Sequence, residues 1–167
     1  MSIEHVPSPL AGRRSPNLAG AIYGTIVATA VVAGLDKSDV PSLRAFCVLL
    51  ATGLFFWGAH VYSFLLADRI QGHHRMRRDD VSRVISREWP LFQSSFPLAV
   101  PLAAGWLGIV GADVALTLAL LVGVATLVGW GIAFSRGEGS GPAGILAAAT
   151  VNAAVGLLIV GLKVALP

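Results

Sequence analysis

The chain has 167 residues, of which 55% are hydrophobic and only 13% are charged, with a formal net charge of +3. A soluble domain usually carries about 25% charged residues, so this composition excludes an ordinary soluble globular protein. The single cysteine, Cys47, excludes a disulfide framework and a paired-cysteine metal or redox site. The basic residues stand beside apolar segments, which favours a role in membrane orientation over nucleic-acid binding. The sequence predicts a polytopic membrane protein.

Five apolar segments are long enough to cross a membrane, because a hydrocarbon core of about 30 Å requires about 20 helical residues. A backbone in lipid must satisfy its hydrogen bonds internally, so each segment is predicted to be helical. Residues 1–16 contain three prolines and no apolar run, and we expect a disordered cytoplasmic tail there, followed by one all-α transmembrane domain over 17–167. The five transmembrane helices are predicted at about 18–34, 42–67, 91–110, 114–134 and 143–166.

Lysine and arginine are distributed unevenly between the predicted loops. With the N-terminus inside, the inner segments hold nine of these residues and the outer segments hold three, Lys37, Arg44 and Lys163. Because cytoplasmic loops carry an excess of positive charge, the N-terminus is predicted to be cytoplasmic and the C-terminus to lie outside. The expected location is the cell membrane, as a multi-pass protein.

The longest predicted loop, 68–90, is a cytoplasmic insertion with an amphipathic helix between the second and third spans. An aspartate at 79 or 80 can cap this helix, because acidic groups stabilise the positive N-terminal end. Such a helix is expected to lie on the inner membrane surface, with its arginines against anionic lipid headgroups. The alternative is a solvated connector that only determines topology. The arginines assigned to the lipid surface are Arg77, Arg78, Arg83 and Arg87.

The same insertion contains residue types that bind transition metals, since imidazole and carboxylate groups are common ligands. Adjacent histidines have no ligand-specific spacing, however, and the six arginines of the loop would repel a cation, so no cofactor is predicted. The metal-binding alternative would use His73, His74, Asp79, Asp80 and Glu88.

Polar side chains in four spans are expected at a similar depth in the inner half of the membrane. At a rise of about 1.5 Å per residue, Tyr23 lies about 8 Å from the inner end of its span and His60 about 10–12 Å from the end of its own. With Gln93 and Asn152, these residues are predicted to line a polar pocket that opens toward the cytoplasm. His60 is either a functional intramembrane group or a structural hydrogen-bonding group between helices. For Asn152 a structural role is favoured.

Small residues at intervals of four allow close contact between membrane helices. They join helices either within one chain or between two chains, so a homodimer remains open. Pro97 and Pro101 predict a kink in the third span. The small-residue ridges contain Gly20, Gly24 and Ala28 in the first span, and Ala149 and Ala153 in the fifth.

The predicted order is five spans, with an overlong second helix that runs into an amphipathic insertion and three closely linked spans after it. Short motifs accompany this order: AIYG at 21–24, YSFLLADR at 62–69 and SRG at 135–137. In these features residues 18–166 resemble the vacuolar iron transporter family. The resemblance implies a dimer with a transport pathway at the subunit interface. Val27 stands near the position of that family's first-span aspartate, and Glu88 is the one glutamate of the insertion, so the resemblance leaves the cargo open.

Two functions are therefore expected as alternatives. The first is a transporter-like protein for a cation or small solute, with a cytoplasm-facing polar pocket. The second is a membrane scaffold or regulatory protein that binds lipid or a partner through its arginine-rich helix. No Ser–His–Asp order, HExxH motif or pair of membrane carboxylates occurs, so an enzyme is not predicted.

Overall fold

The computed structural model describes residues 18–35, 40–70 and 78–165, with the backbone alone described for 78–80. All regular structure within these ranges is α-helical, which confirms the predicted all-α class. The tail 1–16, His73, His74 and Arg77 lie outside the described residues, as do the side chains of Arg78, Asp79 and Asp80. The helices are α1 (Leu18–Ala33), α2 (Ser42–Ile70), α3 (Arg78–Gln93), α4 (Phe96–Trp106), α5 (Ala112–Gly137) and α6 (Pro142–Ala165).

Three of these helices are long and apolar enough to cross a membrane by length and composition. They are α2 with 29 residues, α5 with 26 and α6 with 24. The two other apolar helices are shorter than the roughly 20 residues that a span requires, since α1 has 16 residues and α4 has 11. A membrane protein is thus supported, whereas the full count of five spans is not confirmed.

The predicted third span is interrupted. The amphipathic helix α3 continues through Pro90 to Gln93, and the helical ladder breaks at Ser94 and Ser95. Proline has no N–H group and is tolerated in the first turn of a helix, where that group has no intrahelical partner. Pro97 occupies this place in α4, so a new helix begins there. The helix that was predicted to begin at about 91 therefore begins at Phe96, and the kink predicted from Pro97 and Pro101 is a break before them.

Helices α1, α2, α4, α5 and α6 alternate in direction, as contacts between their ends show. A Cβ on Gly105, late in α4, would lie 2.6 Å from both the Ser42 hydroxyl at the start of α2 and Cβ of Ala115 early in α5. Lys163, late in α6, donates hydrogen bonds to the carbonyl groups of Ala33, at 2.7 Å, and Leu35, at the end of α1. The opposite end of the bundle, called the arginine end here, carries Arg69, Arg83, Arg87 and Arg136.

The core lies among α1, α2, α4 and α5. The large side chains Val32, Leu49, Leu98, Leu102 and Leu116 are each no more than 1% exposed. Helix α6 packs mainly on α5, and Gly156 is its one buried residue. The bundle therefore has a closely packed centre of four helices, with α6 at its periphery.

Candidate functional site

Tyr23 of α1 and His60 of α2 meet in a groove between these helices. Their ring centroids are 5.5 Å apart, with planes inclined at 46°. His60 Nδ1 lies 3.2 Å from the carbonyl oxygen of Phe56, one turn earlier in α2. Because a carbonyl oxygen only accepts, this hydrogen bond requires the proton on Nδ1 and leaves Nε2 of a neutral ring as an acceptor. Tyr23 is 43% exposed and His60 is half-buried, so the pair lies at the open edge of the groove.

The two other residues of the predicted pocket lie elsewhere. Asn152 Nδ2 donates to the Ala148 carbonyl oxygen at 2.9 Å, within α6. A Cβ on Gly131 would lie 2.7 Å from the same nitrogen, so Asn152 belongs to the contact between α5 and α6. Gln93 is exposed and follows the buried Leu91 by two residues, about 200° around the helix. The structure brings together two of the four predicted residues.

A cavity lies between α1, α2 and the break, and Tyr23 and His60 are not among the residues that line it. Val27 follows Tyr23 by one turn of α1, and Phe56 precedes His60 by one turn of α2. The floor of the cavity is the break between α3 and α4. The volume is about 220 Å³, including space that is open to the surroundings. The lining residues are Gly24, Val27, Ala28, Val31, Leu49, Thr52, Gly53, Phe56, Leu91 and Ser95.

Two glycines let the break approach α1 and α2 closely. A Cβ on Gly24 would overlap the Ser94 hydroxyl and the Leu91 carbonyl oxygen. On the other side, a Cβ on Gly53 would lie 2.6 Å from Ser95 Oγ. The break therefore fits between the two helices because neither has a side chain at the point of contact. Sequence reasoning identified Gly24 as part of a small-residue ridge but did not identify Gly53 or Thr52.

Helix α3 has one packed side and one charged side at the arginine end. Glu88 is 3% exposed, one turn before Leu91, whose carbonyl group faces α1. Arg83 and Arg87 are exposed. Arg87 lies with its guanidinium carbon 5.7 Å from the centre of the Phe64 ring and its Nε 3.8 Å from Glu88 Oε1. The amphipathic helix is therefore attached to the bundle while its arginines remain at the surface.

Aromatic contacts strengthen this attachment. Trp89 meets Trp57 of α2 edge-on at 5.6 Å between ring centroids, and Phe92 lies 5.3 Å from Trp89. Phe92 in turn lies 5.1 Å from Phe96, across the break. Such pairs contribute about 0.5–1.5 kcal/mol each beyond the area that they bury. The arginine side of α3 is thus fixed relative to the end of α2.

The predicted metal ligands are only partly described. Glu88 is predicted as a loop ligand, but its carboxylate lies on the packed side of α3. Within the ranges that the structure describes, no three His, Cys, Asp or Glu side chains form a group that could hold a metal ion. His73 and His74 fall outside those ranges, so the alternative that includes them stays a prediction.

Comparisons with protein-family models, curated proteins and solved structures give no match. The resemblance to the vacuolar iron transporter family therefore stays a prediction.

Proposed function

We propose that the protein is a membrane scaffold or regulatory protein whose arginine-rich helix α3 binds the anionic headgroups of the inner leaflet. The observation that carries this proposal is the packing of α3. Its Leu91 and Glu88 side is buried in the bundle, while Arg83 and Arg87 are exposed at the same end. Each arginine near an anionic surface contributes about 1 kcal/mol.

This function requires a topology in which the arginine end of the bundle faces the cytoplasm, as in the predicted arrangement of five spans. Arg69 and Arg136 end α2 and α5 at the same end as α3, whereas Arg44 and Lys163 lie at the other end. Helix α1 is about 24 Å long, and local thinning of the bilayer accommodates short helices at modest cost. In this arrangement the end of α3 and the short helix α4 together form the third span. The N-terminus is then cytoplasmic and the protein lies in the cell membrane.

The test is hydrogen–deuterium exchange of α3 in nanodiscs of zwitterionic lipid with and without phosphatidylglycerol. Two arginines at about 1 kcal/mol each should slow the exchange of α3 by about 30-fold when the anionic lipid is present. In the double variant Arg83→Gln, Arg87→Gln this lipid dependence should disappear. The control variant Arg44→Gln, at the other end of the bundle, should keep it. Equal exchange of wild-type α3 in both lipids would contradict the proposal.

The contact between Tyr23 and His60 favours a second candidate function, transport of a cation or small solute along the groove. Asp68 lies near the cytoplasmic end of α2 in this topology, and His60 lies about 12 Å further along the helix. The ionisable ring of His60 is then inside the membrane. Such groups are commonly functional. Tyr23 is 43% exposed on a single chain, and a second copy of the chain would cover it, so this candidate includes a homodimer.

Flux assays in liposomes test this candidate, with protons and a series of metal cations as the transported species. His60→Ala and Tyr23→Phe should each abolish flux, whereas Asn152→Ala should retain it, because Asn152 lies between α5 and α6. Detergent-solubilised variants are compared by thermal unfolding. Loss of folding in His60→Ala, with no selective loss of flux, would instead identify His60 as a structural residue.

A further inference from the structure

The turns that follow α4 and α5 have the same backbone geometry, although they lie at opposite ends of the bundle. Residues 107–111 are called the α4–α5 turn, and residues 138–141, at the arginine end, the α5–α6 turn. Each turn contains a glycine in the left-handed region, Gly108 at φ +75° and Gly139 at φ +71°. In both turns the residue after this glycine donates its N–H to the carbonyl oxygen five residues earlier, at 3.0 Å. Both helices therefore end in a Schellman motif.

The side chains of the two turns differ in polarity. Just before the left-handed glycine, at the C-cap position, the α4–α5 turn has Leu107 where the α5–α6 turn has Glu138. Just after the glycine, Ile109 corresponds to Ser140. Turn residues are usually small or polar. Because the α5–α6 turn forms the same backbone hydrogen bonds with polar side chains, the conformation of the α4–α5 turn does not require its two apolar ones.

The apolar side chains of the α4–α5 turn are not packed into the bundle. Leu107 is 65% exposed and Ile109 is 71% exposed. Trp106, the last residue of α4, is 54% exposed and stacks on Phe46 of α2, with 6.5 Å between ring centroids. Trp106, Leu107 and Ile109 thus form an exposed apolar patch, and residues 106–111 include no charged side chain. An exposed apolar patch is typical of a surface that contacts a membrane or another protein.

Charged residues on two neighbouring helices indicate the depth of this patch in the membrane. Arg44, in the first turn of α2, and Asp113, in the first turn of α5, are both exposed. Trp106 lies at the same level, because the preceding Gly105 lies against Ser42 at the start of α2. Charged side chains are costly in the hydrocarbon core, and tryptophan is enriched at membrane–water interfaces. The patch therefore lies near the boundary between headgroups and acyl chains.

We propose that the α4–α5 turn is a membrane anchor, whose Trp106, Leu107 and Ile109 side chains insert into the leaflet opposite the arginine end. The partner is the bilayer itself, since the patch has no charge with which to select an anionic headgroup. The backbone suits this environment, because the N–H groups of residues 107–109 all donate to carbonyl groups of α4. The anchor does not depend on lipid binding by α3, so failure of either proposal leaves the other intact.

The test is site-directed spin labelling in nanodiscs of zwitterionic lipid, with single cysteines introduced into a Cys47→Ser background. Leu107→Cys and Glu138→Cys are matched positions, because both are exposed C-cap residues with the same backbone conformation. Dissolved oxygen concentrates among acyl chains, whereas a neutral nickel complex stays in water. The ratio of collisions with oxygen to collisions with nickel should be several-fold higher for the label at position 107 than for the label at position 138.

Two results of this experiment would overturn the proposal. Equal ratios at positions 107 and 138 would show that the α4–α5 turn lies in water. Low accessibility of the label at position 107 to both reagents would show that a second copy of the chain or another protein covers the patch.

Exchange of side chains between the turns provides a second measurement. The double variant Leu107→Glu, Ile109→Ser gives the α4–α5 turn the polar side chains of its counterpart and keeps Gly108. Quenching of Trp106 fluorescence by lipids brominated near the headgroup should fall several-fold, with Trp106→Phe measured in both backgrounds to isolate this signal. Thermal unfolding in detergent verifies that the variant is folded; if it is not, the spin labels alone decide. Unchanged quenching in a folded variant would contradict the proposal.

Discussion

The α3–α4 break and the α5–α6 pair use similar small and polar residues, but the hydroxyl groups have different partners in the two regions. Thr126 and Thr150 donate to carbonyl groups of their own helices, and Asn152 does the same. A continuous helix offers such a carbonyl group one turn earlier, so Ser and Thr side chains bond locally. At the break, Ser95 has no such bond and lines a cavity. The two neighbouring serines of the break therefore differ: Ser94 donates to the Leu91 carbonyl oxygen at 2.6 Å, whereas Ser95 forms no capping hydrogen bond.

The glycines in the two regions also differ in what they contact. Gly24 faces the backbone carbonyl group of Leu91 as well as the Ser94 hydroxyl. Gly131 faces the side chain of Asn152 and the Ala148 carbonyl oxygen, at 2.7 and 2.8 Å from a Cβ. Gly58, in the middle of α2, has nothing within 4 Å of a Cβ and serves as a reference. Substitution at these three positions measures how closely each region is packed.

The largest effect is expected for Gly24→Ala. A Cβ at this position overlaps a backbone atom of α3, which cannot move aside without shifting the break, so the free energy of unfolding should fall by about 3 kcal/mol. Equilibrium unfolding in detergent micelles measures the change. Gly58→Ala should instead be neutral or stabilising by up to about 1 kcal/mol, because alanine favours the helix. Equal effects of the two substitutions would show that α1 and the break are not in close contact.

The second-largest loss of stability is expected for Lys163→Met, because this substitution removes the positive charge from the C-terminal end of α1. Lys163 Nζ donates to carbonyl groups of Ala33 and Leu35. A hydrogen bond from a charged donor contributes about 1.5–3 kcal/mol, and the C-terminal end of a helix favours a positive charge. Unfolding free energy should fall by about 2 kcal/mol, with partial recovery in Lys163→Arg. A loss as large in the arginine variant would indicate a packing effect rather than a charge effect.

Gly131→Ala should have a smaller effect than Gly24→Ala, about 1 kcal/mol, at the lower end for overpacking. The Asn152 side chain can rotate away, and the Ala148 carbonyl oxygen, at 2.8 Å from a Cβ, overlaps it less than the Leu91 carbonyl oxygen overlaps a Cβ on Gly24. Combination with Asn152→Ala should recover part of the loss, because one of the two close contacts is then absent. A double-mutant cycle by equilibrium unfolding gives this coupling, and additive losses would argue against the contact.

The smallest effect is expected for Arg87→Gln, at no more than about 0.5 kcal/mol of unfolding free energy. Arg87 has a 69% exposed side chain, and ion pairs at such positions contribute little because solvent screens them. The same substitution is expected to weaken lipid-dependent protection of α3, so stability and lipid binding separate at this residue. A loss of stability as large as that of Lys163→Met would show that Arg87 mainly fixes α3 to Phe64 and Glu88.

The sequence alone was sufficient for the helical class, for most helix ends and for the amphipathic character of α3. These properties depend on the length of apolar runs and on local spacing, which can be read along the chain. The start of α2 at Ser42 agrees with the prediction. The kink predicted from Pro97 and Pro101 is instead a break before them, at Ser94 and Ser95, because proline restricts a helix without determining which turn is interrupted.

Tertiary structure alone decided which polar residues meet. Depth along a helix follows from residue number, but the direction in which a side chain points depends on how neighbouring helices are rotated and packed. Tyr23 and His60 therefore come together, while Asn152 at a similar predicted depth packs on Gly131. The same cause explains why Thr52 and Gly53 were not identified: only the packed bundle brings this part of α2 against the break at Ser95.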